Sequence, residues 1–368
     1  MKLKKFINKY FSLTAIFLIM LALVCVIIHA FAINLPEFAD FFNQTVGAFF
    51  RFALAKLTGF IPFSVTEIAI VLLPLIIGMI VYYAIKAFKC GKNRGIKYLA
   101  TVLAVLSLFY SSFVLTFACG YRGVALDKKL SLERAEVSNE ELELTARVVM
   151  KQVNALAKKM KYNDDGFSVM PYSFTALNDK LNSAYKKGAE KYKFIQNLKS
   201  NVKPIILSEP MTYTHISGVY TFFTGEANVN INYPSYNLPY TMAHEMAHQR
   251  GIAPENEANF IAFLICTESD DEYIQYSAYF NMLEYLSNAL YRADKEAYKE
   301  LIGELNERVK GELIAYSKFY EKYEDSVAAD ISGAVNNSYL QSQGQTEGTR
   351  SYGLVVDLAV AYYKKVGF

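Results

Sequence analysis

Three stretches of this sequence run without an Asp, Glu, Lys or Arg for nearly the thickness of a bilayer's hydrocarbon core. They are Ser12–Ile33, Ile68–Ile85 and Tyr98–Ala118. A helix rises 1.5 Å per residue, so about 20 apolar residues cross a core of about 30 Å. The second run is slightly short and contains Pro74 and Gly78, both tolerated in spanning helices. The first run is too long for the apolar core of a signal peptide, and no small-residue cleavage site follows it. Residues 1–119 are therefore expected to be a membrane anchor with three transmembrane helices, at about 12–33, 68–85 and 98–118.

Charge divides the chain at the same place. Residues 1–119 carry eleven Lys and Arg against three acidic residues, a net +8, and the remainder carries 27 against 32, a net −5. No long basic patch accompanies the acidic half, which excludes nucleic acid as an expected partner. Residues 2–9 hold four lysines and residues 86–97 hold five Lys or Arg. The loop between the first two spans offers only Arg51 and Lys56, offset by Glu37, Asp40 and Glu67. By the positive-inside rule the N-terminus and the 86–97 loop are expected in the cytoplasm. Three spans then place everything after Arg122 outside the cytoplasmic membrane. Residues 35–63 mix many Phe with scattered charge, as in a helix lying in the interface. Cys25, Cys90, Cys119 and Cys266 show no C-x-x-C spacing, so neither a thiolate zinc site nor a disulfide is expected.

Residues 120–368 read as a mostly helical domain with a small sheet. Ser138 and Glu141 form a capping-box pattern for a helix reaching about Met160. Asn163–Gly166 is a turn, and a Lys- and Tyr-rich helix is expected over about 174–198. From Glu226 to Tyr233, Glu226, Asn228, Asn230 and Asn232 alternate with apolar residues. That period of two predicts a half-buried strand with one polar face, and Val219–Phe223 supplies a hairpin partner. After Pro239 the periodicity is helical again, with a polar loop at Gln341–Arg350.

The chemistry lies in H-E-M-A-H at His244–His248. On a helix, residues four apart share a face, so both imidazoles reach one ion. Glu245 points to one side, where it serves as general base toward a metal-activated water. Asn237 suits the N-cap of this helix and Gly251 its C-cap. A catalytic zinc needs a third protein ligand and an open fourth position. Glu255 and Glu257 both follow the turn at Gly251. If the next helix begins at Pro254, Glu257 shares an inward apolar face with Phe260, Ile261 and Leu264, so Glu257 is the expected third ligand. Glu255 is assigned to stabilising the helix N-terminus.

Glu226, Asn228 and Asn230 either line a substrate cleft or form a solvent face. His215 either stabilises an oxyanion or is an ordinary surface histidine. Arg350, Ser351 and Tyr352 are weaker candidates from the C-terminal region. Arg250 is expected to pair with Glu255 or Glu257, and His29 to be structural within the first span.

The segments H-E-M-A-H-Q-R-G, E-N-E-A-N-F, T-G-E-A-N-V-N, E-G-T-R-S-Y and P-F-S-V-T-E-I together resemble the bacterial membrane proteins called domain of unknown function 3810. The resemblance covers nearly the whole chain and implies a multi-span anchor carrying a zinc-peptidase domain of zincin-like fold. The E-x-E-A-N block also resembles the glutamate-bearing helix of a broader zinc-peptidase group. There the glutamate before Ala-Asn ligates the metal, which again implies Glu257.

The expectation is an α+β, mostly helical chain: three N-terminal transmembrane helices, then a zincin-like domain with a small antiparallel sheet. It would bind Zn2+ through His244, His248 and Glu257 and hydrolyse peptide or protein substrates outside the membrane. The alternative is a membrane sensor whose external domain binds zinc or a ligand without catalysis. Replacing Glu245 separates the two, because only the enzyme needs it. A cleavage site within the bilayer is excluded, since polar residues flank the motif helix and Ala258–Cys266 is too short to span.

Overall fold

The computed structural model describes residues 2–368, apart from the side chains of Lys2, Leu3, Ser351 and Tyr352. The chain divides into two compact units. The first runs to Gly123 and takes in Thr221–Gly225; the second comprises Val124–Tyr220 and Glu226–Phe368.

Three helices of the first unit are long and apolar enough to cross a membrane: α1 (Leu13–Asn34), α2 (Val65–Lys89) and α3 (Lys92–Thr116). They are the three expected spans, and the last two begin earlier than their apolar cores. Helix α2 starts where the Ser64 hydroxyl accepts from the Glu67 N–H at 2.9 Å, and it continues through Pro74 to Lys89. Charged residues end an apolar run without ending a helix, because their side chains reach the polar interface. His29 Nδ1 lies 3.3 Å from the Tyr110 hydroxyl, linking α1 to α3.

The Phe-rich segment is helical but broken. Pro36–Phe42 and Ala48–Gly59 are joined by a π-helical turn at Asn43–Gly47. Arg51, expected as a loop charge, is 1% exposed. Its guanidinium donates to Asn43 Oδ1 at 2.7 Å and to the Thr116 carbonyl at 2.8 Å. A buried charge needs such partners.

The turn Thr221–Gly225 packs within this first unit. Phe222 and Phe223 meet Phe113 and Phe109 edge to face, and Thr224 Oγ1 is 2.9 Å from Thr66 Oγ1. Gly225 has φ +69°, and a Cβ there would fall 2.6 Å from Leu54 Cβ. Only glycine suits both demands.

The first long helix of the second unit is α4 (Asn139–Ala157), headed by the expected capping box of Ser138 and Glu141. Helix α5 (Phe174–Lys191) follows. Three strands, β1 (Lys203–Pro204), β2 (Gly218–Thr221) and β3 (Glu226–Val229), form a sheet in the order β1-β3-β2. β1 runs parallel to β3, with Lys203 opposite Asn228, so the sheet is mixed and not antiparallel as expected. A two-residue strand has no alternation to read.

β3 is the middle strand, and all four of its residues are buried. The expected half-exposed polar face is replaced by internal hydrogen bonds. Asn228 Nδ2 donates to the Val219 carbonyl at 3.1 Å, and Asn230 Nδ2 to Thr212 Oγ1 at 3.1 Å. Buried amides are tolerated on those terms.

The core gathers around α6 (Asn237–Gln249), α7 (Glu255–Thr267) and α8 (Glu272–Ala293). α7 is buried nearly all round, including Phe260, Ile261, Phe263 and Leu264. Burying each such side chain contributes about 1.5–3 kcal/mol. Helices α9 (Val327–Ser342) and α10 (Val355–Val366) close the chain.

Candidate metal centre

Helix α6 carries the H-E-x-x-H motif. Tyr236, not Asn237, stands at its N-cap, and Pro239 falls in the first turn, where its missing N–H costs nothing. Four-residue spacing stacks the two histidines on one face, with ring centroids 4.5 Å apart and planes at 88°. The helix ends at Gln249 with Arg250 at the C-cap, one residue before the expected Gly251, whose φ of +85° reverses the chain. That reversal brings the Ile252 carbonyl to His248 Nδ1 at 2.8 Å. With Nδ1–H donating there, Nε2 faces the centre, and the neutral ring would offer its lone pair to a cation.

The turn at Gly251 also delivers the third group, and it is Glu255. Its Oε2 lies 3.2 Å from His244 Nε2 and 3.4 Å from His248 Nε2. Glu255 is the first residue of α7, with Pro254 at the N-cap. The expectation of Glu257 is corrected: Glu257 Oε1 accepts from the Leu126 N–H at 2.9 Å, at the start of the short helix Leu126–Lys129. The argument from an inward apolar face failed because α7 is buried nearly all round, and Glu257 lies on its less buried side whereas Glu255 is buried.

His244, His248 and Glu255 form a group whose ligand atoms lie within 4.8 Å of one another. Zinc bonds of about 2.0–2.2 Å in a tetrahedron separate ligand atoms by roughly 3.3–3.6 Å. The two separations are close to that range. Glu255 Oε2 is buried and finds no hydrogen bond of good geometry despite two nitrogens nearby. Two imidazoles and a carboxylate turned toward one point, short of bonding each other, fit a cation.

Burial alone would raise the Glu255 carboxyl, but the two imidazoles outweigh it and hold the group well below the usual carboxylate range. Burial alone would lower the His248 imidazole, but the Glu255 and Glu245 carboxylates outweigh it and push it up to about 9, so without a cation it carries the proton that a metal would displace. Burial, then the neighbouring His248, lowers His244 and keeps it neutral, the form a metal requires. Asn259 of α7 stands against His244.

Glu245 lies beside this group, 4% exposed, and burial pushes its carboxyl up to about 8. The Tyr220 backbone N–H of β2 donates to it, while its Oε2 has no hydrogen-bond partner. Gly218 permits this approach: a Cβ there would fall 2.5 Å from Glu245 Oε1.

A cavity of about 340 Å³ opens over His244 and Glu245. Ser217 and Gly218 form its β2 wall; Asn281 and Tyr285 of α8 form another, and Ser332 and Gly333 of α9 roof it. No Lys or Arg lines it among the described residues.

Of the weaker candidates, only His215 reaches the cavity, and its Nε2 lies 2.8 Å from the Tyr323 carbonyl. Glu226, Asn228 and Asn230 are buried in the sheet and do not line it. The edge strand beside the cavity is β2, not β3. Arg250, expected beside Glu255 or Glu257, donates to Ser200 Oγ at 2.9 Å and to the Leu198 carbonyl, and lies over the Tyr185 ring. Arg350 is exposed and outside the cavity wall, and the side chains of Ser351 and Tyr352 lie outside the described residues.

Sequence reasoning missed Gly218, Tyr220, Asn281 and Tyr285. One tyrosine among 28 in no motif carries no signal of its own.

A family model described as "Protein of unknown function (DUF3810)" matches residues 42–360. No curated protein and no solved structure matches the chain.

Proposed function

For this chain, which belongs to the DUF3810 family, we propose the function of a membrane-anchored zinc-dependent hydrolase that cleaves peptide bonds outside the cytoplasmic membrane. The observation that carries the reading is the convergence of His244 Nε2, His248 Nε2 and Glu255 Oε2 beneath a cavity that also exposes Glu245. These three residues would hold the ion. A zinc ion so bound supplies a Lewis acid and lowers the pKa of a coordinated water toward about 7.

The rest of the chemistry belongs to the chain. The Glu245 carboxylate, which lines the cavity, would take the proton of the attacking water and give it to the leaving amine. The Tyr220 N–H holds that carboxylate in place. The His248 ring is fixed by the Ile252 carbonyl, as supporting groups fix metal ligands generally.

Two features favour a peptide over a charged small molecule. The cavity wall offers neutral hydrogen-bonding groups, among them Thr241, Asn259, Asn281 and Tyr285. β2 lies at the sheet edge beside the cavity and suits the addition of an extended substrate strand. The external location rests on the Lys and Arg asymmetry of the first 97 residues.

The test is metal analysis of the purified full-length protein with a peptide-library cleavage screen on the same sample. About one zinc per chain and cleavage abolished by chelation are expected. A protein that takes up no zinc, or that cleaves equally after chelation, contradicts the reading.

A further inference from the structure

Helices α2 and α3 are joined by a short turn and touch along their adjoining ends. At the turn, Gly91 has φ +110°, and Gly95 packs so closely on Phe88 that a Cβ would fall 2.5 Å from its ring. Tyr98 of α3 donates its hydroxyl to the Ile80 carbonyl of α2 at 2.6 Å. Beside these contacts lies an open cleft of about 530 Å³. Its wall is one face of α2, Ile76, Met79, Ile80 and Tyr83, and Lys86 and Arg94 stand at its mouth. The helical spacing continues from the apolar residues to Lys86, so a single ligand along that face meets hydrocarbon first and charge last.

The charge at the mouth is one-sided. Lys86, Lys89, Lys92, Arg94 and Lys97 fall within twelve residues, and no acidic residue occurs between Glu67 and Asp127. The Tyr10 hydroxyl donates to Asn93 Oδ1 at 2.6 Å, which ties the basic N-terminal segment, including Lys9, to the same end. The outer surface of α2 is exposed along its spanning length.

We propose that this cleft is a binding site for one anionic diacyl phospholipid. Its acyl chains lie along Ile76, Met79, Ile80 and Tyr83, and its phosphate is held between Lys86 and Arg94. The cleft supplies both halves of such a ligand, apolar length and paired cations at the headgroup level, and basic pockets between spanning helices take anionic headgroups for that reason. A zwitterionic lipid of the same chain length gains the apolar contacts but not the net charge.

The test uses full-length protein in detergent micelles, exposed to equal amounts of phosphatidylglycerol and phosphatidylcholine with matched acyl chains. Lipid bound per chain is counted by native mass spectrometry. The wild type is expected to retain about one phosphatidylglycerol in preference to phosphatidylcholine. Lys86→Ala and Arg94→Ala should each lower that preference about fivefold. Lys86→Arg should retain it, and Lys56→Ala, which removes a charge outside the cleft, should leave it unchanged. Met79→Trp, which fills the apolar wall, should lower retention of both lipids. Equal retention of the two lipids by the wild type overturns the proposal, as does a Lys86→Ala/Arg94→Ala protein of native helix content that keeps the wild-type preference.

Discussion

His244, His248 and Glu255 make one centre because one glycine turns the chain between the two helices that carry them. Gly251 ends α6, presents the Ile252 carbonyl to His248, and leaves Glu255 within 3.4 Å of both imidazoles. The histidines were legible in the sequence because four-residue spacing on a helix fixes their relation whatever the tertiary fold. The carboxylate that joins them was not, because its choice depends on how the chain re-enters after the turn. We predict that Glu255→Gln lowers zinc affinity sharply, whereas Glu257→Gln leaves it near wild type and loosens the segment at Leu126. Zinc titration with a competing chelator distinguishes them, and the reverse order would restore Glu257. Affinity of the wild type should fall at acid pH, as protons compete for the imidazoles and the carboxylate. Gly218 is a second test at this scale. Gly218→Ala places a Cβ 2.5 Å from Glu245 Oε1, so the carboxylate must move. Misplacement of a catalytic group by about 1 Å costs on the order of 10²-fold in rate. Hydrolysis should fall by about that factor with zinc content unchanged; unaltered hydrolysis would place the base elsewhere.

At the scale of elements, patterns that rest on local rules were readable. The capping box at Ser138, the turn at Gly166 and the three apolar spans all appear where local chemistry demands them. Patterns that depend on what an element packs against were not. The Asn alternation in β3 resembles a solvent face, but β1 on one side makes it a central strand, and hydrogen bonds to the Val219 carbonyl and Thr212 replace water. The roof of the cavity had no local signature at all. Helix α9 turns Ala329, Ser332 and Gly333 toward the cavity, while Val327, Ile331 and Val335 face outward and are exposed. A Cβ on Gly333 meets nothing within 4 Å, so a larger side chain there is tolerated by the helix and projects toward the cavity that Gly333 lines. Gly333→Leu is therefore predicted to raise KM for peptides while leaving zinc content and thermal stability at or slightly above wild type, since leucine is the better helix former. Steady-state kinetics with a calorimetric melt measures both; an unchanged KM would mean substrate does not pass under α9.

The whole molecule joins a basic, apolar unit to an acidic, mostly helical one. The sequence interleaves them: Thr221–Gly225 belongs to the first unit, and the strands on either side of it to the second. β2 ends at Thr221 and carries Tyr220, whose N–H holds Glu245. A topology reporter fused after Arg122 is predicted to read as external; a cytoplasmic reading would overturn the three-span orientation drawn from Lys2–Lys9 and Lys86–Lys97. The central claim is that this molecule hydrolyses peptides with Glu245 as base beside a three-ligand zinc centre. Its most direct test is the rate of peptide cleavage by zinc-loaded, full-length Glu245→Gln against wild type. Glutamine keeps the shape of the side chain but cannot accept the proton, so the rate should fall roughly 10²–10⁴-fold with about one zinc still bound. A Glu245→Gln protein that binds zinc and cleaves at the wild-type rate would contradict the account.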